Sequence, residues 1–338
     1  MTWQTQLRGD PLPWLLEAEP PGVRYLALRD VLERPPDDPE LLAARRHAYT
    51  RGPIAALLAR LDPAGFWVTP GPGYNPKYRS TVWALIMLAQ LGASAEHEPR
   101  VAQACAYVLD QALAEGGQFT ASGAPSGTAD CLQGNLSWAL VTLGCTDARL
   151  DAAYEWMARS VTGEGVAPLT DRSAARRYYA GKCGPLFACG ANDKRACAWG
   201  AVKVLQAFSV WPAARRTPLI KRAIKQGVEF LFSVDPATAA YPSGYSAKPS
   251  GNWWKFGFPV FYVTDLLQLV AALAGLGYGR DRRLARAWQC VLDKQDERGR
   301  WALEYDYAGK TWAEFGAKKQ PNPWVTLRAL GALQAADR

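Results

Sequence analysis

Several segments of this chain are apolar around almost their whole circumference. Residues 78–91 (YRSTVWALIMLAQL), 129–143 (ADCLQGNLSWALVTL), 195–209 (RACAWGAVKVLQAFS), 260–276 and 323–335 share that character. A helix of this kind must be buried on most of its sides. Between them lie segments with one apolar stripe and one charged face, at 39–50, 99–114, 148–160, 216–232 and 281–294. In the last, Leu284, Ala287, Trp288, Val291 and Leu292 recur at the spacing of one helix face. The buried segments begin about 50 to 70 residues apart, a period that indicates stacked helix pairs. An apolar stretch at 13–33 is a candidate sixth inner element, with a less regular pattern. Inner helices ringed by outer ones predict an all-α fold, a single α/α toroid (α6/α6) around a central cavity.

Strand signals are scarce, and 49% hydrophobic residues against 21% charged ones suffice for one large core. Residues 1–338 are therefore expected to form one domain, with 1–54 its least clearly patterned part. The N-terminal stretch has no long apolar run, and Asp265 and Gln268 interrupt the long one at 260–278. Neither a signal peptide nor a membrane span is expected, which points to a cytoplasmic chain. Seven cysteines without an export signal favour reduced thiols over a disulfide framework. The formal net charge of +8 comes from scattered Lys and Arg without a nucleic-acid motif. That reads as a solvated basic surface, and no nucleic-acid partner is expected. Peripheral contact with a membrane, or with a phosphorylated substrate, stays open.

A short signature precedes several inner helices. Gln295–Trp301 (QDERGRW) reads Gln-x-x-x-Gly-x-Trp. Leu61–Trp67 (LDPAGFW) keeps Gly-x-Trp, and Leu113–Phe119 (LAEGGQF) keeps Gly and an aromatic. Glycine tolerates the positive φ of a helix end, and the aromatic then packs on that end while Gln bonds free backbone groups. With the alternating helices, this signature resembles the prenyltransferase/squalene-cyclase repeat superfamily over about residues 55–336. The resemblance implies an α6/α6 toroid and an isoprenoid-like apolar small molecule as ligand. Triterpene and diterpene cyclases and protein prenyltransferase β-subunits belong to that superfamily. Fold alone does not fix function.

The acidic motifs of that superfamily are missing: there is no Asp-x-Asp-Asp, and Asp37–Asp38 lack the third Asp of Asp-Asp-x-x-Asp. Asp37 and Asp38 stand where a helix begins, so capping is their expected role. Asp130 and Cys131 match the first two positions of the sterol-type Asp-Cys-Thr-Ala-Glu motif, and Leu132, Gln133 and Gly134 depart from it. The resemblance implies a general acid at Asp130, and an Asp at a helix N-terminus is the plain alternative. Asp265, alone among apolar neighbours, is either a second acid or half of a pair with Arg79 or Arg328. Aromatics that could line the cavity and stabilise a cation are Trp83, Trp138, Trp199, Trp254, Phe258, Tyr262 and Trp324. Packing explains each of them equally well. Arg79, Arg328 and the basic residues of 171–182 and 192–197 are candidate diphosphate contacts, with Lys194 and Arg195 at an expected helix start.

Cys131 and Cys197 lie near the starts of successive inner helices, and Cys183 and Cys189 in the loop leading to the second. Parallel neighbours place those starts at one end of the ring. The four thiols form a candidate zinc site, although no Cys-x-x-Cys knuckle is present. Buried free thiols are the alternative. His47 and His97 read as surface residues. The expected function is an isoprenoid cyclase- or prenyltransferase-like protein. A non-catalytic toroid scaffold and a zinc-dependent transferase are the alternatives.

Overall fold

The computed structural model describes residues 2–17, 19–166 and 182–338. The helices in chain order are α1 (Leu12–Glu17), α2 (Val23–Leu26), α3 (Pro39–Thr50), α4 (Gly52–Leu58), α5 (Thr81–Gln90), α6 (Pro99–Ala112) and α7 (Asp130–Thr142). They continue with α8 (Arg149–Thr162), α9 (Ala198–Val210), α10 (Pro218–Leu231), α11 (Leu266–Leu273), α12 (Ala285–Leu292) and α13 (Pro323–Asp337). Two short strands, β1 (Ala188–Cys189) and β2 (Arg195–Ala196), pair antiparallel. The molecule is thus mostly helical, as the periodicity requires. No helix among the described residues is long and apolar enough to cross a membrane.

The helix starts follow local chemistry. Asp38 caps α3 by accepting from Leu41 N at 2.9 Å, with Pro39 at the first helical position. Asn322 caps α13 by accepting from Trp324 N and Val325 N, each at 3.1 Å. At the far end of α8, Gly163 takes φ +76°, the left-handed geometry of a helix stop.

The helices that are apolar all round pack in sequence: α5 on α7, α7 on α9, α9 on α11 and α11 on α13. α13 packs in turn on α2 and on the π-turn Ala27–Val31 that extends it. Arg29 of that turn donates to the carbonyl of Gly92, just past α5, at 3.1 Å. Val23–Val31 thus touches both α13 and the residue just past α5. The amphipathic helices lie outside, with α6 on α5, α10 across α8 and α9, and α12 on α11. The tightest seam joins α7 and α9. A Cβ on Gly134 would sit 2.2 Å from the backbone carbonyl carbon of Lys203, so only glycine permits this approach.

The repeated signature has a common structural meaning. Trp67 and Trp301 are both wholly buried. Trp67 Nε1 donates to Leu57 O at the end of α4 (2.9 Å), and its backbone N–H donates to Thr81 Oγ1 in the first turn of α5 (3.1 Å). Trp301 repeats this with Val291 O of α12 (2.8 Å) and Thr326 Oγ1 of α13 (3.0 Å). In the third copy Phe119 N–H donates to Gln133 Oε1 of α7 at 3.1 Å. Each copy clips the following inner helix in place, and the two tryptophan copies also bind the end of the preceding outer helix. Gln295 binds the N-terminal segment, accepting from Arg8 N (3.1 Å) and donating to Gln6 O (3.2 Å).

Two expected boundaries are corrected. Residues 195–197 are not helical, because Arg195 and Ala196 pair with β1 and the helix begins at Ala198. Lys194 and Arg195 thus stand away from a helix N-terminus, and Arg195 donates to Ser243 O at 3.1 Å. Residues 260–265 are also outside the helix, which Asp265 caps by accepting from Gln268 N at 2.8 Å.

Candidate functional site

A cavity of about 580 Å³ lies among the inner elements, and every one of them contributes to its wall. Its apolar surface comes from Leu26, Trp138, Val210, Phe258, Leu267 and Trp324. Phe258 stacks on Trp324 with ring centroids 5.1 Å apart and an interplanar angle of 13°. Asn135, Gln206, Gln268 and Arg328 are the polar part of the inner wall. Arg29, Asp30, Glu33 and Arg338 rim the opening. They are paired among themselves, Arg29 with Asp30 at 2.6 Å and Arg338 with Glu33.

At the other end, Tyr74, Tyr78, Trp83, Phe261, Tyr262 and Tyr307 form one aromatic cluster. Tyr78 OH donates to Tyr262 OH at 2.9 Å, and Trp83 Nε1 to Tyr74 O at 2.7 Å. Only a gap of about 10 Å³ remains there, room for one water, and Asn135 borders both it and the cavity. Trp83 and Tyr262 therefore line the gap, while Trp138, Phe258 and Trp324 line the cavity. Trp199 packs edge-on against Trp253 at 6.5 Å, and Trp254 Nε1 donates to Ala237 O at 3.0 Å. Neither borders the cavity. Arg79 donates to Gly309 O (2.9 Å) and Lys310 O (3.2 Å) and stacks on Trp312, away from the cavity as well.

Asp265 and Arg328 meet in a buried bidentate pair. Arg328 Nη1 and Nη2 reach Asp265 Oδ2 and Oδ1 at 2.9 and 2.8 Å. Gly257 N and Gln268 N also donate to this carboxylate, at 3.3 and 2.8 Å. Both oxygens are engaged as acceptors in charge-assisted or backbone hydrogen bonds. Asp130 is the opposite case. It is buried at the start of α7 against Gly200, and its Oδ2 has no partner among the described residues. Burial, and then the nearby Cys189, push its carboxyl well above the usual range. Asp130 does not border the cavity.

The structure adds one group that sequence reasoning missed. Lys203 of α9 is wholly buried, and its amine donates to Gln268 Oε1. Burial pulls it down to about 7, partly resisted by Asp265. The signal was present as a lone lysine in a segment otherwise apolar all round. Gln268 Nε2 in turn donates to Gln206 Oε1 at 2.6 Å.

The cysteines do not form the expected four-thiolate set. No disulfide joins any of the seven. Cys197 donates to Cys189, which drives the Cys189 thiol down to about 6 and the Cys197 thiol up. Cys131 faces the gap beside Tyr74, and Cys183 is buried. Among the described residues no group of three or more His, Cys, Asp or Glu side chains is placed to hold a metal ion. The hairpin pairs two of the thiols with each other instead. Of the basic stretch 171–182, residues 171–181 lie outside the described residues.

The sequence matches no protein-family model and no curated protein. Among solved structures, a substituted form of the type II terpene cyclase MstE from Scytonema, in complex with geranylgeranyl dihydroxybenzoate, is 14% identical, covering 84% of this chain and 95% of its own at a TM-score of 0.34. The apo form of that cyclase is 13% identical, covering 83% and 95%, with a TM-score of 0.31. A protein from Actinoplanes is 13% identical, covering 84% and 97%, with a TM-score of 0.32. Similarity this slight adds nothing to the packing described above.

Proposed function

We propose that the chain is one α/α toroid of the terpenoid cyclase-like class, and that it binds an apolar isoprenoid-type molecule in its central cavity. The carrying observation is the cavity itself: about 580 Å³, walled by six inner elements, with aromatic and aliphatic faces around a few polar groups. That size and lining suit a small-molecule site. The class of ligand rests on the repeat signature, which the tryptophan clips express as a shared structural device.

The test is binding of farnesol, followed by quenching of tryptophan fluorescence and by native mass spectrometry. Trp138 and Trp324 border the cavity, so a ligand there changes their emission. Ala271→Trp places a bulky ring in the same wall and is expected to abolish binding. Undiminished binding to a folded Ala271→Trp protein would place the ligand elsewhere and sink the reading.

Acid-initiated cyclisation is a second reading, favoured by the buried carboxyl of Asp130, which is raised well above the usual range and whose Oδ2 has no partner among the described residues. Asp130 stands off the cavity wall, so its proton reaches a ligand only if that ligand extends to the start of α7. In this reading Trp138, Phe258 and Trp324 stabilise the cation, and Asp130→Asn removes turnover of a polyprenyl substrate while leaving its binding intact. Asp265, tied to Arg328, supplies structure and not acid.

A further inference from the structure

We propose that Lys203, Gln268 and Gln206 form a directed relay that gives the cavity wall a fixed hydrogen-bond donor, selecting an apolar ligand that carries an uncharged carbonyl oxygen. This inference rests on the cavity being the binding site and goes on to name the ligand's polar group.

The relay follows from what each side chain can donate. The Lys203 nitrogen donates to Gln268 Oε1, and it keeps N–H groups to donate whether charged or neutral. That bond turns the Gln268 amide so that Nε2 faces Gln206, where it donates to Oε1 at 2.6 Å. The Gln206 amide is fixed in turn. Its oxygen is occupied and its Nε2 has no protein acceptor among the described residues. Gln206 is half-buried and borders the cavity, so this N–H group is open to a ligand there.

The neighbouring Gln90 amide cannot substitute for it. Gln90 also borders the cavity, but it is closed on itself: Oε1 accepts from Val260 N (2.7 Å) and Nε2 donates to Val260 O (2.9 Å). Charge decides between a carbonyl and a carboxylate. Arg328 is neutralised by Asp265, and Gln268 stands between Lys203 and the cavity. The rim adds Asp30 and Glu33, each beside its own arginine. An anionic head would lose water without gaining an unpaired cation, whereas a ketone or ester oxygen loses little and gains the amide bond. Lys203 is a positioning residue here, acting through Gln268.

Farnesylacetone, a ketone with an isoprenoid tail, is compared with the hydrocarbon in which a methylene replaces its carbonyl oxygen. The wild-type protein is expected to bind the ketone about fivefold more tightly, the worth of one neutral hydrogen bond. The bound carbonyl stretch shifts to lower frequency. Gln206→Met keeps side-chain length and removes the donor, and Lys203→Met removes only the group that sets its direction. Both are expected to bring the ratio close to one and to reverse the carbonyl shift, with hydrocarbon affinity retained. If Lys203→Met does not fold, Gln206→Met carries the test alone. Equal binding of the two ligands by the wild type, or a preference that survives Gln206→Met, overturns the relay and leaves the cavity reading standing. Failure of both ligands to bind overturns the relay and the isoprenoid reading together.

Discussion

Replacing Lys203 with methionine removes a titrating group from the middle of α9. In the folded chain this amine sits at about 7, against an ordinary value of 10.5, with burial as the main cause. Below pH 7 the folded and unfolded states both carry the proton, and the full cost of a buried charge is present. Between about 7 and 10.5 the unfolded chain holds the proton and the folded chain has released it. Stability must therefore rise with pH across that window. Integrating from pH 7 to pH 9 gives a gain of about 2 kcal/mol for the wild type relative to Lys203→Met. The absolute stability at one pH is a poor test, because the substitution also leaves Gln268 Oε1 unpaired, at about 1–3 kcal/mol. The difference between pH values cancels that loss. Urea unfolding followed by tryptophan fluorescence at pH 7, 8 and 9, under reducing conditions, measures it directly. Curves for the two proteins that run parallel with pH would show that Lys203 keeps its charge in the fold, and would refute the reasoning.

Other consequences are open to similar measurement. Gly134→Ala pushes a Cβ onto the backbone of Lys203 and is expected to cost about 3 kcal/mol or more in denaturant unfolding, the upper end of overpacking effects. Arg328→Leu strands the Asp265 carboxylate in the cavity wall and is expected to cost about 3–5 kcal/mol by the same assay. Adding Asp265→Asn to that variant should recover part of the loss, since the stranded charge is then gone. Cys189, lowered to about 6, and Cys145, lowered to about 7 by a hydrogen bond from Cys105, are expected to react with iodoacetamide at pH 7 before Cys197 and Cys105. Peptide mapping by mass spectrometry gives the order.

The inner helices were legible because their apolar pattern leaves no solvent face, and the outer ones because their stripe does. α5, α7 and α13 fall within a few residues of the expected spans. The errors arise where tertiary pairing overrides local pattern. Residues 195–197 look helical in sequence, yet β1 captures two of them. The first inner element hides inside the apolar stretch 13–33 because it is a short α-turn extended by a π-turn. At the site, the link of Asp265 to Arg328 was among the expected pairings, since an isolated buried acid needs a partner. Lys203 was not anticipated: its stem packs like an aliphatic chain, and only the three-dimensional position of Gln268 reveals where the amine goes. The cysteines misled for a related reason. Cys131 and Cys197 do stand at the starts of neighbouring helices, but thiols placed so need not share one point.

The tryptophan clips have a consequence for how a toroid of the proposed kind could vary. Trp67 reaches 10 residues back and 14 forward, and Trp301 reaches 10 back and 25 forward. Each joint is therefore wired almost entirely within its own short length of chain. A helix pair that brings its own joint could be gained or lost without redrawing the others, much as a link is added to a bracelet. The bore would then be set by how many links close the circle, and the chemistry inside it by a handful of wall residues such as Gln206 that no joint depends on.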